Sequence, residues 1–170
     1  DNKQDIELFE FANAMAALNN QYYSFLNARN TKKARNDQKL LIKKISQGSV
    51  IMDLIENAAP VLPSITPCIY EFTNYVCLTI DYLIGEKKEK PYKYSILDFK
   101  NFRNILDLTA NCFDNKINFN INFGKQVINK TYNYKDASAA QNQIEKEIKK
   151  LQEVGDGTIK ENVELKLYQA

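Results

Sequence analysis

The stretch from Ala58 to Ile84 is the most apolar in the chain, and any fold this sequence adopts has to cover it. Pro60, Pro63 and Pro67 interrupt its first third, while Glu71, Asn74 and Asp81 lie within the rest. A carboxylate at bilayer depth costs roughly 2.5–3.5 kcal/mol, so the segment reads as protein core and not as a membrane span. Ile69, Phe72, Val76, Ile80 and Leu83 recur at helical spacing and predict a helix from about Pro67 to Gly85. Tyr70, Cys77, Leu78 and Ile84 make that helix apolar on further sides. It is therefore either central in the fold or covered by a partner.

Three more helices are expected. Leu8, Phe11, Ala12, Met15, Leu18, Tyr22 and Phe25 form one stripe between Leu8 and Leu26, followed by a loop over Asn27 to Asn36. Ser95 and Asp98 stand at capping-box spacing before the stripe Phe99, Phe102, Ile105, Leu106 and Phe113. Between these helices, Gly85 to Tyr94 reads as a charged linker. Asp136 is expected to cap a last helix with Ala137, Ala140, Ile144, Ile148 and Leu151 inside and Lys146, Glu147, Lys149 and Lys150 outside.

For the strands, Leu40 to Ile45 and Val50 to Ile55 predict a hairpin around Gly48, whose glycine-serine pair lacks the further residues of a phosphate loop. Ile117 to Phe123 alternates strictly, with asparagines at 118, 120 and 122, which predicts a half-buried strand with a solvated polar face. Gly124 and Lys125 suit a two-residue turn, and Val127 to Tyr134 returns as the partner. Gly155, Asp156 and Gly157 then turn the chain into a final strand carrying Val163, Leu165 and Leu167. The expected fold is one α+β domain over residues 1–170, with about four helices packed on mostly antiparallel strands from two β-hairpins plus a C-terminal strand.

Composition narrows the chemistry. There is no histidine, the residue that supplies most neutral-pH bases and many metal ligands, so Ser-His-Asp, Cys-His and HExxH sites are excluded. Cys68, Cys77 and Cys112 are one thiolate short of a four-cysteine zinc site and contain no CxxC pair. They read as buried apolar residues in a reducing, cytoplasmic compartment. No metal, cofactor or catalytic residue is expected. The sequence carries 20 asparagines and 17 isoleucines, with 20 lysines against 3 arginines, the usage of a low-GC bacterial genome. The chain begins with Asp1, so the sequence leaves a removed leader open.

The segments Ile42–Leu54, Phe72–Gly85, Phe99–Leu106 and Ala137–Glu147 resemble a family of longer bacterial proteins of unknown function. In the similar proteins a strand like Val163–Tyr168 leads into a further β-rich region, so the resemblance implies that this chain is an N-terminal portion, a truncated form or a short relative of them. It brings no activity, cofactor or catalytic residue.

Three functions follow as candidates. The first is a non-catalytic protein-interaction or assembly module that holds another protein or itself, with Ile69, Tyr70, Tyr75, Cys77, Leu78 and Tyr82 as contacts. The second is a nucleic-acid or nucleotide-binding module using Lys32, Lys33, Arg35, Lys39, Lys43 and Lys44 beside Tyr92, Tyr94, Tyr132 and Tyr134. Against it, 23 basic residues are nearly cancelled by 21 acidic ones, and arginine, the preferred reader of phosphate, is scarce. The third is a histidine-free enzyme resting on carboxylates such as Glu71 and Asp81, which stand ten apart on the expected helix and so on different lines of its surface. The reading favoured is the first.

Overall fold

A computed structural model describes residues 7–28, 39–42, 50–51, 54–57, 68–111 and 115–168. Along the chain the elements are α1 (Leu8–Ala28), β1 (Lys39–Ile42), β2 (Val50–Ile51), β3 (Leu54–Asn57), α2 (Cys68–Leu83), α3 (Ile96–Ala110), β4 (Ile117–Phe123), β5 (Gln126–Tyr132) and α4 (Tyr134–Tyr168). The described residues are thus mostly helical, with the strands in two small sheets.

The alternating segment pairs as its pattern requires. β4 and β5 run antiparallel from Ile117↔Tyr132 to Phe123↔Gln126, joined through Gly124 at φ +63, a conformation that favours glycine at the turn. Ile117, Phe119 and Ile121 are buried, whereas Asn120 and Asn122 are exposed. The expected hairpin between Leu40–Ile45 and Val50–Ile55 is replaced by another arrangement. β1 pairs antiparallel with β3, from Lys39↔Asn57 to Ile42↔Leu54. Val50–Ile51 leaves that ladder and pairs in parallel with β4. β4 has one edge free of β5, and a two-residue strand satisfies its backbone groups there.

The expected C-terminal strand is also corrected. Val163 to Leu167, and the Gly155–Gly157 turn before it, belong to α4. Once a helix is nucleated each added residue needs no new nucleus, and the lysine and glutamate content of this segment favours propagation over a strand of three apolar residues. The N-cap of α4 is Asn133 in place of Asp136. Asn133 Oδ1 accepts from the backbone N–H of Lys135 and Asp136, and Asp136 Oδ2 accepts from that of Asn133 at 2.9 Å, so Asp136 is the third helical residue of a capping box. The capping box expected at α3 is present between Ser95 and Asp98. Phe113 lies outside the described residues.

α3 packs against α1 on one side and α4 on the other, while α2 lies against α4 and the sheet. α1 is rotated from its expected stripe: Ala14, Ala17, Leu18, Gln21, Tyr22 and Leu26 are buried, and Leu8 is 80% exposed. Gln21 turns inward because it donates to Tyr75 Oη at 2.7 Å and to Asp98 Oδ1 at 3.1 Å, and accepts from Asn101. α2 fills the middle of the fold. Ile69, Phe72, Val76 and Ile80 are almost fully buried, as are its Thr73, Thr79 and Asp81. Phe72 meets the Tyr22 ring edge-on at 5.0 Å. Burying each large apolar side chain contributes roughly 1.5–3 kcal/mol, so α2 is the hub of the core.

Candidate functional site: a lysine-walled cleft around a buried carboxylate

α2 ends at a glycine, and that ending shapes the site. Gly85 has φ +89 and donates its N–H to the Tyr82 carbonyl, while Glu86 donates to the Asp81 carbonyl. This is a Schellman closure, in which a left-handed residue satisfies the last carbonyls and turns the chain away. Lys87 and Lys88 follow at once and line an open cleft of about 510 Å³ facing α4.

Glu147 forms the polar floor of that cleft. Although expected outside, it is only 3% exposed. It falls on the inner face of α4 with Ala140, Ile144 and Ile148. Its carboxylate accepts from Tyr82 Oη at 2.7 Å, Lys90 Nζ at 2.6 Å and Gln143 Nε2 at 3.1 Å. The Lys90 ammonium also lies 5.7 Å from the Phe99 ring centre and 5.9 Å from that of Tyr82, within range of a cation–π contact. Burial alone raises the Glu147 carboxyl, but the hydrogen bonds from Lys90 and Tyr82 and the charges of Lys90 and Lys150 outweigh it and hold the group below the usual glutamate value. The Tyr82 hydroxyl is pushed up to about 12 by burial and then by Glu147, so it stays a donor. The floor is a finished clamp between α2, the α2–α3 loop and α4.

The walls are different. Among the described residues four lysines, Lys87, Lys88, Lys146 and Lys150, line the cleft against the single carboxylate of Glu147. Lys150 approaches Glu147 at 3.7 Å; Lys87, Lys88 and Lys146 form no ion pair among the described residues. On α4 the row Asn142, Lys146, Lys150 repeats every four residues, which places the three on one face. The cleft therefore offers unneutralised positive charge, amide groups and an apolar edge at Leu83 and Ile84.

A second buried carboxylate is spent in the same way. Asp81 accepts from Tyr132 Oη at 2.8 Å and from Lys130 Nζ at 3.0 Å, tying α2 to β5. The hydrogen bond to Asp81 raises the Lys130 ammonium, and burial pushes the Tyr132 hydroxyl far up. Asp81 and Glu71 do not meet in the cleft, whose lining includes neither.

The sequence-predicted contacts fall mostly inside the fold. Ile69, Tyr75 and Cys77 are core residues, and burial pushes the Cys77 thiol up to about 12. Tyr70 and Tyr82 are half-buried against the core, Leu78 is half-buried, and of the six only Tyr82 lines the cleft. In the nucleic-acid set, Lys32, Lys33, Arg35, Lys43 and Lys44 lie outside the described residues. Tyr94 and Tyr132 are buried, and Tyr94 shares a 2.8 Å hydrogen bond with Thr79. No local signal marks the lysine walls, since each lysine is an ordinary surface residue in its own segment. Glu147 did carry a signal, a charge in phase with an apolar stripe.

Among the described residues no helix is long and apolar enough to cross a membrane, and no group of three or more cysteine, aspartate or glutamate residues is placed to hold a metal ion. Comparison with known proteins returns no matching family model, no matching curated protein and no matching solved structure.

Proposed function

We propose that the chain is a non-catalytic interaction module that holds another protein, and that the cleft between the end of α2 and α4 is where it does so. One observation carries this reading. The carboxylate in the cleft is committed to the Tyr82–Lys90–Gln143 clamp, while Lys87, Lys88 and Lys146 remain unpaired among the described residues and are exposed. Groups that would do acid–base work are held internally, and groups that recognise an anionic surface are left outside. A reducing cytosol, in which a buried thiol such as Cys77 stays free, is the compartment this reading implies.

The test compares the wild-type chain with the fourfold variant K87E/K88E/K146E/K150E in recovery of partners from host cytosol and in solution mass. A partner retained by the wild type and lost by the variant supports the proposal. A strictly monomeric chain that retains nothing overturns it.

A further inference from the structure

We propose that the cleft takes an extended acidic peptide segment, with carboxylates on alternate residues seated against the lysines; this deepens the reading just given and rests on it. α4 rises about 1.5 Å per residue, which separates Lys146 from Lys150 by about 6 Å along the helix axis. Alternate residues of an extended chain stand about 6.7 Å apart and point to the same side. The spacing of the lysine row thus matches that of side chains on one face of a strand laid along the helix.

The other features of the cleft agree with a peptide and not with a single small oxyanion. Lys87 and Lys88 come from the α2–α3 loop and Lys146 and Lys150 from successive turns of α4, so the charges come from two separate elements. The volume of about 510 Å³ lies in the range of roughly 300–1,000 Å³ that accommodates organic ligands. Asn142, on the same row as the two lysines, adds an amide able to bond a peptide backbone. Among the described residues no arginine lines the cleft, so the lining lacks the planar fork that grips one phosphate with two parallel hydrogen bonds, whereas lysine ammoniums suit separate point charges. Lys146 and Lys150 stand four apart on α4 and repel each other, and carboxylates seated between them relieve that repulsion.

The experiment titrates the full chain into a labelled peptide of alternating glutamate and serine and follows fluorescence anisotropy, with inorganic pyrophosphate and a consecutive-glutamate peptide of equal charge as competitors. The alternating peptide binds, outcompetes the consecutive one, and loses about tenfold or more in affinity in K146E/K150E and in K87E/K88E, since both remove attraction and add repulsion. The milder K146Q/K150Q loses less. The control K93E/K100E changes the same number of exposed lysines, neither of which lines the cleft, and stays within about twofold. Equal loss in the control, or tight binding of pyrophosphate without the peptide, overturns the assignment. If the peptide fails while the wild type still retains a partner that the fourfold variant loses, only the acidic-segment assignment falls. If neither occurs, the docking reading falls with it.

Discussion

Replacing Glu147 by glutamine keeps the shape of the side chain and removes its charge, which isolates the electrostatic part of the clamp. The wild-type carboxylate receives Tyr82 Oη at 2.7 Å and Lys90 Nζ at 2.6 Å. A hydrogen bond to a charged group contributes about 1.5–3 kcal/mol when the pair is buried. The Lys90 side chain is 38% exposed, so solvent screening reduces its share to about 0.5–1 kcal/mol. Glutamine retains one acceptor oxygen, and its amide now faces the Lys90 ammonium. The expected loss is about 2–3 kcal/mol, and at about 2–4 °C per kcal/mol for a chain of this size the melting temperature falls by about 4–12 °C. The pH dependence follows from the lowered Glu147 pKa. The stabilisation is fully present above the ordinary value of 4.5 and is lost as pH falls through the lower folded-state value. Thermal melts of wild type and Glu147→Gln should therefore differ most near neutral pH and converge as pH falls through the lowered folded-state value of Glu147. A difference of the same size at neutral and acid pH, or no difference at neutral pH, refutes the charged clamp.

Three further outcomes are expected. Ser95→Ala removes the side chain that receives the Asp98 N–H at 3.1 Å and should cost about 1 kcal/mol in urea unfolding, with the circular dichroism of the folded state unchanged. Gly85→Ala meets no atom within 4 Å at its new Cβ but must hold φ +89, so the loss is purely conformational, about 1–2 kcal/mol; a stabilised variant would contradict the Schellman geometry. In a Cys68→Ser, Cys112→Ser background the Cys77 thiol, pushed up to about 12 by burial, should resist a thiol reagent in native buffer and react fully in denaturant. Rapid native reaction would place it at the surface.

What the sequence made legible was whatever a single segment carries. The capping box at Ser95 and the alternation from Ile117 to Phe123 are local patterns, and both elements form where those patterns stand. The parallel pairing of Val50 with Ile117 joins positions far apart in the chain and has no local signature, so a plain hairpin was the natural expectation for residues 40–55. The rotation of α1 has the same origin. Gln21 looks like a surface residue until Tyr75, Asp98 and Asn101 arrive to bond it. The charge of Glu147 predicts an outward position, and the partners that overrule it, Tyr82 and Lys90, lie 65 and 57 residues away. Where a polar side chain falls in step with an apolar stripe, phase is the better guide, provided the rest of the fold supplies the donors.

The polar groups along α2 explain how a nearly all-round apolar helix fixes its neighbours. Hydrophobic burial is non-directional, so it holds α2 at the centre without choosing its rotation or the register of what surrounds it. Tyr75, Thr79, Asp81 and Tyr82 contribute to that choice, each toward a different element. Tyr75 receives Gln21 from α1, Thr79 bonds Tyr94 in the α2–α3 loop, Asp81 takes Lys130 and Tyr132 from β5, and Tyr82 donates to Glu147 on α4. A slip of α2 by one residue would leave several of these groups buried and unpaired, at about 1–3 kcal/mol each. The Asp81–Lys130 pair has a second effect, because an inward-pointing charge on an edge strand disfavours pairing with another chain, and β5 is the edge of its sheet among the described residues. Assembly through that edge is thereby discouraged, while the Tyr82–Glu147 bond on the next residue of α2 holds the lysine walls of the cleft in place. The same short run of helix that orders the core thus makes one sheet edge a poor template for pairing and ties the cleft's two sides together.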